Sequence, residues 1–205
     1  MKRTLLQVFF VGLAALVVAG GCLLPFLYPT QTLWYKTGWE KAALQAGHLF
    51  GVLAFLALVL QLLVGSRGAL LERAFGVSLV MRLHRANGQI LPLLVLCHIA
   101  LVLLPEGLAN LPLGLSFWPE MVGGAALLAI VFQVVAAQWR QRLSLDYRRW
   151  RSGHRWLGYA VLLLAAVHVL FVADSFASGL PRLALLLLVG MVALRLVYWM
   201  VSSRR

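Results

Sequence analysis

The sequence predicts an all-α integral membrane protein, a six-transmembrane-helix bundle with both termini on the cytoplasmic side. Three observations carry that prediction. Of 205 residues, 62% are hydrophobic and only 12% are charged, a balance suited to lipid and not to water. The apolar residues gather in six runs, 4–28, 43–66, 85–104, 121–138, 154–173 and 181–202, each near or above the roughly 18 residues that cross a hydrocarbon core. The positive charges then sort by alternate loops, with Lys2, Arg3, Arg67, Arg73, Arg82, Arg85, Arg140, Arg142, Arg148, Arg149, Arg151, Arg155, Arg195, Arg204 and Arg205 on one side. Lys36, Lys41 and Arg182 fall on the other. This bias marks the first side as cytoplasmic, and an even number of spans is required to return the chain there. The formal charge of +12 is thereby explained by topology, without a nucleic-acid partner.

The first run begins like a secretory leader, with Lys2 and Arg3 ahead of an apolar stretch reaching Cys22. It continues through Leu23, Leu24, Pro25 and Phe26, longer than a leader's apolar region, and so reads as a span. Cys22 and Cys97 both lie in apolar runs without metal-ligand spacing and read as packing residues. The outer segments 31–41 and 105–120 carry Trp34, Tyr35, Trp39, Phe117 and Trp118, aromatics that suit the membrane interface. On the cytoplasmic side, segment 67–83 opens with an amphipathic stretch, Leu70 to Phe75, and segment 139–152 holds five arginines. Both suit anionic lipid headgroups as partners. All connections are short, so residues 1–205 are expected to form a single domain.

Four of the five histidines form two pairs of identical spacing. His84 and His98 are 14 residues apart, as are His154 and His168, and the second pair follows the first by 70 positions. Fourteen helical residues rise about 21 Å in nearly four whole turns, so each pair faces one way at two depths. The third and fifth spans run in the same direction. Across a bundle they would present His84 level with His154 near the cytoplasm, and His98 level with His168 further out.

The repeat extends past the histidines, as His-Arg-x-x-Gly at His84-Arg85 with Gly88 and at His154-Arg155 with Gly158. A glycine four residues on lies on nearly the same helix face, and leaves room for a flat macrocycle. The adjacent arginine can snorkel to the interface and meet a propionate carboxylate. One histidine in a span often serves as an interhelical hydrogen-bonding group, but a duplicated spacing on two parallel spans suits bis-imidazole ligation of two irons. Zinc, with its closed sets of four ligands, suits the spacing less well. With no Cys-x-x-Cys-His sequence present, the haem would be non-covalent, of b type. His48 has no spaced partner and stays open between a structural bond, a contact to the outer haem and a substrate contact.

These residues resemble the ferric reductase-like transmembrane domain shared by ferric reductases and NADPH oxidases. The likeness runs roughly from Ala43 to Ser202 and is carried by Arg82-Leu83-His84-Arg85 with His98, and by Trp150-Arg151-Ser152-Gly153-His154-Arg155 with His168. The resemblance implies six helices, two b haems held by His84, His98, His154 and His168, and electron transfer from the cytosolic side to an outside acceptor. The expected location is the inner (cytoplasmic) membrane of a bacterium. That family usually continues into flavin and nicotinamide domains, and no Gly-rich dinucleotide fingerprint occurs here. An oxidoreductase membrane subunit without its own flavin or NAD(P)H domain is therefore expected. Its donor would be a cytoplasmic flavin reductase, with its flavin, or a membrane quinol.

The chain is also similar to the haem-binding membrane subunit of the periplasmic methionine sulfoxide reductase system, which delivers electrons to a periplasmic acceptor protein. That subunit usually lacks the first histidine of the third span, present here as His84. A non-haem transporter or structural subunit, and a four-helix diheme cytochrome, are the remaining alternatives. The mid-span regions, with Gln61, Gln89 and Gln133 among few polar residues, are poorer in polar groups than transporter sites tend to be.

Overall fold

A computed structural model of the chain describes residues 3–66, 68–105, 107 and 111–202. Its helices are α1 (Arg3–Leu27), α2 (Thr32–Tyr35), α3 (Gly38–Gly65), α4 (Ala69–Phe75), α5 (Val77–Leu103), α6 (Trp118–Gln138), α7 (Tyr147–Val172) and α8 (Gly179–Ser202). No strand occurs among the described residues. Five of the helices, α1, α3, α5, α6 and α7, are long and apolar enough to cross a membrane. The sixth expected span corresponds to α8, whose described apolar part, Gly179–Leu194, is shorter. Lys2, Arg67, Arg204 and Arg205, counted in the charge bias, lie outside the described residues, as does the side chain of Arg195.

The helix starts of the third and fifth spans differ most from the expectation. Apolar content alone began the third and fifth runs at residues 85 and 154, whereas α5 begins at Val77 and α7 at Tyr147. Helical hydrogen bonding continues past the apolar boundary, because arginine stems lie along the helix while their heads reach water. Each start has a local cause. Asp146 caps α7, its Oδ2 accepting from the Arg149 N–H at 3.0 Å, the usual satisfaction of a free donor in a first turn. Between α4 and α5, Gly76 turns the chain at φ 79°, a backbone angle that glycine adopts without penalty. As a result His84 and His154 stand at the same place in their helices, seven residues after the first.

Helix α3 packs along α5, and α6 along α7, far more extensively than either hairpin packs on the other. Helix α1 lies against α3 and α4, where Arg3 Nε and Gln7 Nε2 both donate to the Ala74 carbonyl, at 3.0 and 2.9 Å. The core cluster of Ala54, Leu58, Leu91, Ile130, Val161 and Leu162 joins the two hairpins. Large apolar side chains such as Phe9, Leu16, Leu128 and Leu187 point outward, the arrangement required where the surrounding solvent is lipid.

Candidate functional site: two levels of paired histidines

The ring centroids of His84 and His154 lie 6.2 Å apart, with planes at 77°. Those of His98 and His168 lie 6.4 Å apart, with planes at 76°. Helices α5 and α7 thus bring together one histidine each at two levels, and the two pairs have nearly the same geometry. Along the helices the levels are separated by about 21 Å.

Second contacts fix the rings of the His98–His168 level. His98 Nδ1 lies 2.8 Å from the Gly47 carbonyl of α3, and His168 Nδ1 lies 2.9 Å from the Pro119 carbonyl of α6. A carbonyl only accepts, so each Nδ1 carries the proton and donates it. Each Nε2 is then left with a free lone pair, the tautomer a metal-ligating histidine needs.

The other level is built differently. His84 Nδ1 is buried without a hydrogen-bond partner, and the Gln61 amide approaches His84 Nε2 at 3.4 Å. Gln61 is itself held by Asn87, whose Nδ2 donates to Gln61 Oε1 and to the Ala57 carbonyl, both at 2.8 Å. On the opposite side Trp150 stacks on His154, with centroids 5.2 Å apart and planes at 26°. Tyr147 leans on Trp150, and the Arg140 guanidinium lies 5.4 and 5.8 Å from their two ring centres, within cation–π reach.

A cavity of about 620 Å³ opens between the hairpins at the His84–His154 level, within the usual range for a cofactor site. Its walls include Arg85, Gly88, Arg155 and Gly158 together with both histidines. Pro92, inside α5, has no N–H to donate to the Gly88 carbonyl four residues back. Midway between the levels stand Leu91 and Val161, each seven residues from the two histidines of its own helix, within the apolar core cluster. The two levels are therefore separated by packed hydrocarbon.

The residues fit a haem. Each pair offers two imidazoles, with ring centres 6.2 and 6.4 Å apart, that would hold one haem iron between them. Among the described residues no three His, Cys, Asp or Glu side chains cluster to hold a bare ion. A macrocycle supplies its own four equatorial donors and needs only two axial imidazoles, which is the donor set each level offers. Gly88 and Gly158 lie in the cavity wall beside the His84–His154 pair, packed against Gln61 and Leu62. A Cβ would stand 2.9 Å from Gln61 Nε2 at the first and 3.2 Å from Leu62 Cδ2 at the second, and Arg85 and Arg155 supply cations at the same wall.

Residue identity alone does not mark the contacts that α3 and α6 make with the paired histidines. Gly47, Gly51 and Pro119 carry no chemical label, and Gln61 and Gln133 stood out only as polar exceptions. Their signal is register: Gly47 and Gln61 are themselves 14 residues apart on α3, matching the histidine spacing on the antiparallel α5. His48 is one residue past Gly47, partly buried and turned about 100° from it around the helix.

Fold and site define a multi-pass, all-α membrane protein with histidines paired at two depths. The chain belongs to the ferric reductase like transmembrane component family, whose model matches residues 50–165. The matched segment contains His84, His98 and His154 and ends three residues before His168. At a coarse level the family assigns transmembrane electron transfer, and its domains generally bind haem. Searches of the curated proteins and of the solved structures returned no match.

Proposed function

We propose that this protein moves electrons across a bacterial cytoplasmic membrane through two b-type haems, one held by His84 and His154 and the other by His98 and His168. The observation that carries this reading is the recurrence of one ring-pair geometry, 6.2 Å with 77° and 6.4 Å with 76°, at two levels of one bundle. When bound, a bis-imidazole haem supplies a one-electron carrier with no open position at iron. The chain's own residues do the rest. Gly88 and Gly158 let Gln61 and Leu62 pack close to the helix backbones beside the cavity, while Arg85 and Arg155 neutralise propionate carboxylates at its wall. Leu91, Val161 and their neighbours keep water and ions out of the space between levels, so charge crosses as electrons and the bilayer stays sealed.

In this reading the bundle has six spans with both termini in the cytoplasm, in line with the charge bias of the loops. Electrons arrive on the side of the arginine-rich segment 139–155. Arg148, Arg149 and Arg151 attract an anionic donor, either a cytoplasmic flavin reductase with its reduced flavin or a membrane quinol, and mainly speed encounter. They leave at the His98–His168 level to an acceptor outside.

The test is the haem content of the purified protein. The expected haem-to-protein ratio is near two, with His84→Leu and His98→Leu each removing one haem and sparing the other. A colourless folded protein, or loss of both haems from either single change, refutes the assignment.

A further inference from the structure

The helices opposite the histidines carry a repeat of their own. Gly47 and Pro119 are 72 positions apart, and so are Gly51 and Gly123. Gly47 and Gly51 lie on α3 and meet His98, while Pro119 and Gly123 lie on α6 and meet His168. Each hairpin therefore presents the same pair, a backbone carbonyl and a glycine four residues later, to the outer histidine of its partner helix.

The pairing has a physical reason. In a helix the carbonyl of residue i sits beside residue i+4, whose N–H it ordinarily accepts. Here each imidazole N–H that reaches such a carbonyl belongs to a ring lying against residue i+4. A Cβ on Gly51 would stand 2.8 Å from His98 Nδ1 and 3.0 Å from its Cε1; one on Gly123 would stand 2.7 Å from His168 Nδ1 and 2.9 Å from its Cε1. The two separations from Nδ1, 2.8 and 2.7 Å, are shorter than real Cβ atoms show. With the rings seated as they are, a side chain at residue 51 or 123 would collide with the imidazole that donates to the carbonyl four residues earlier.

We propose that Gly51 and Gly123 are positioning residues of the outer centre: each lets a histidine ring seat on a helix carbonyl, which fixes the ring's plane and keeps Nε2 free for iron. The inference rests on the haem reading above and adds residues that hold neither iron nor porphyrin. It also separates the two levels. At the inner one Gly65 lies under His84, a Cβ there standing 3.0 Å from Cε1, but His84 Nδ1 has no hydrogen-bond partner. The position of α6 that corresponds to Gly65, 72 later, is Ala137, and His154 rests on Trp150 instead. The glycine-and-carbonyl seat is thus complete twice at the outer level and at neither inner histidine.

The experiment compares Gly123→Ala with Gly124→Ala, neighbours on one helix of which only the first is crowded, since a Cβ on Gly124 meets nothing within 4 Å. Both purified proteins are examined by haem content, redox titration and electron paramagnetic resonance. In Gly123→Ala the outer haem is expected to bind about 10- to 100-fold more weakly, as when a second contact of a metal ligand is lost. Where it is retained, its midpoint potential and low-spin signal shift while those of the inner haem stay. Gly124→Ala should match the parent protein, and Gly51→Ala gives the same test should Gly123→Ala fail to accumulate. An outer signal unchanged in Gly123→Ala and Gly51→Ala, or equal changes at both levels, overturns the proposal. A parent protein without haem overturns the function proposed above instead, so the two failures are distinguishable.

Discussion

Asn87 joins α5 to α3 inside the bilayer by two hydrogen bonds of 2.8 Å, to the Ala57 carbonyl and to Gln61 Oε1. Replacing it by leucine removes both. Interhelical hydrogen bonds in membrane proteins average about 0.6 kcal/mol and reach about 1.7, so Asn87→Leu should cost about 1–3 kcal/mol. Gln61→Leu removes one of the two, and its 3.4 Å approach to His84 Nε2 is too long to add much. That change should cost about 0.6–1.7 kcal/mol. In the double variant the shared bond is lost only once and no amide is left without its partner. The double variant should therefore be more stable than the sum of the singles implies, by about 0.6–1.7 kcal/mol. Reversible unfolding in mixed detergent micelles, followed by helical circular dichroism, measures all four proteins. Additivity to within about 0.3 kcal/mol would refute the idea that this bridge couples the two helices.

In the two-haem reading, ring planes at 77° and 76° should give each ferric haem a highly anisotropic low-spin resonance; a rhombic signal typical of parallel imidazoles would contradict the geometry. Trp150→Leu removes the stacked face from His154 and should shift the potential of the inner haem alone, so an equal shift at the outer one in redox titration counts against the assignment of levels. Raising ionic strength, or neutralising Arg148, Arg149 and Arg151 together, should slow haem reduction by an anionic donor several-fold with the absorption spectrum unchanged. A salt-independent rate in stopped-flow mixing would remove those arginines from donor encounter.

The histidine register was legible because its two ingredients are written in residue identity: an ionisable side chain in an apolar run, and a spacing that closes on whole helical turns. Arg85, Gly88, Arg155 and Gly158 were legible for the same reason, as a motif repeated at one offset. Helix starts were less so. Hydropathy falls at Arg82, Arg148 and Arg151, while the backbone there remains helical because Asp146 caps one helix and Gly76 turns into the other. The opposite side of the site was nearly invisible, since a main-chain carbonyl at Pro119 and a missing side chain at Gly123 leave no mark that separates them from ordinary helix packing. Only the crossing of α3 with α5, and of α6 with α7, shows that these positions meet the imidazoles. The stacking of Trp150 on His154 was hidden in another way: four residues apart on one helix, the pair reads as a motif edge until the helix is known to begin at Tyr147.

The hairpins α3–α5 and α6–α7 are each closely packed, yet they meet one another over a small area and enclose a cavity. A molecule bound to one histidine from each hairpin therefore ties the halves together, and its binding free energy becomes part of the stability of their association. At a free concentration 100-fold above its dissociation constant, one such ligand adds about 2.7 kcal/mol to the native state. The hairpins are then expected to insert as separate units and to be drawn into register when the cofactor arrives, with an unfolding midpoint that rises as free haem is increased. Supply of haem during synthesis would thus set how much of the protein survives as well as how much of it is coloured.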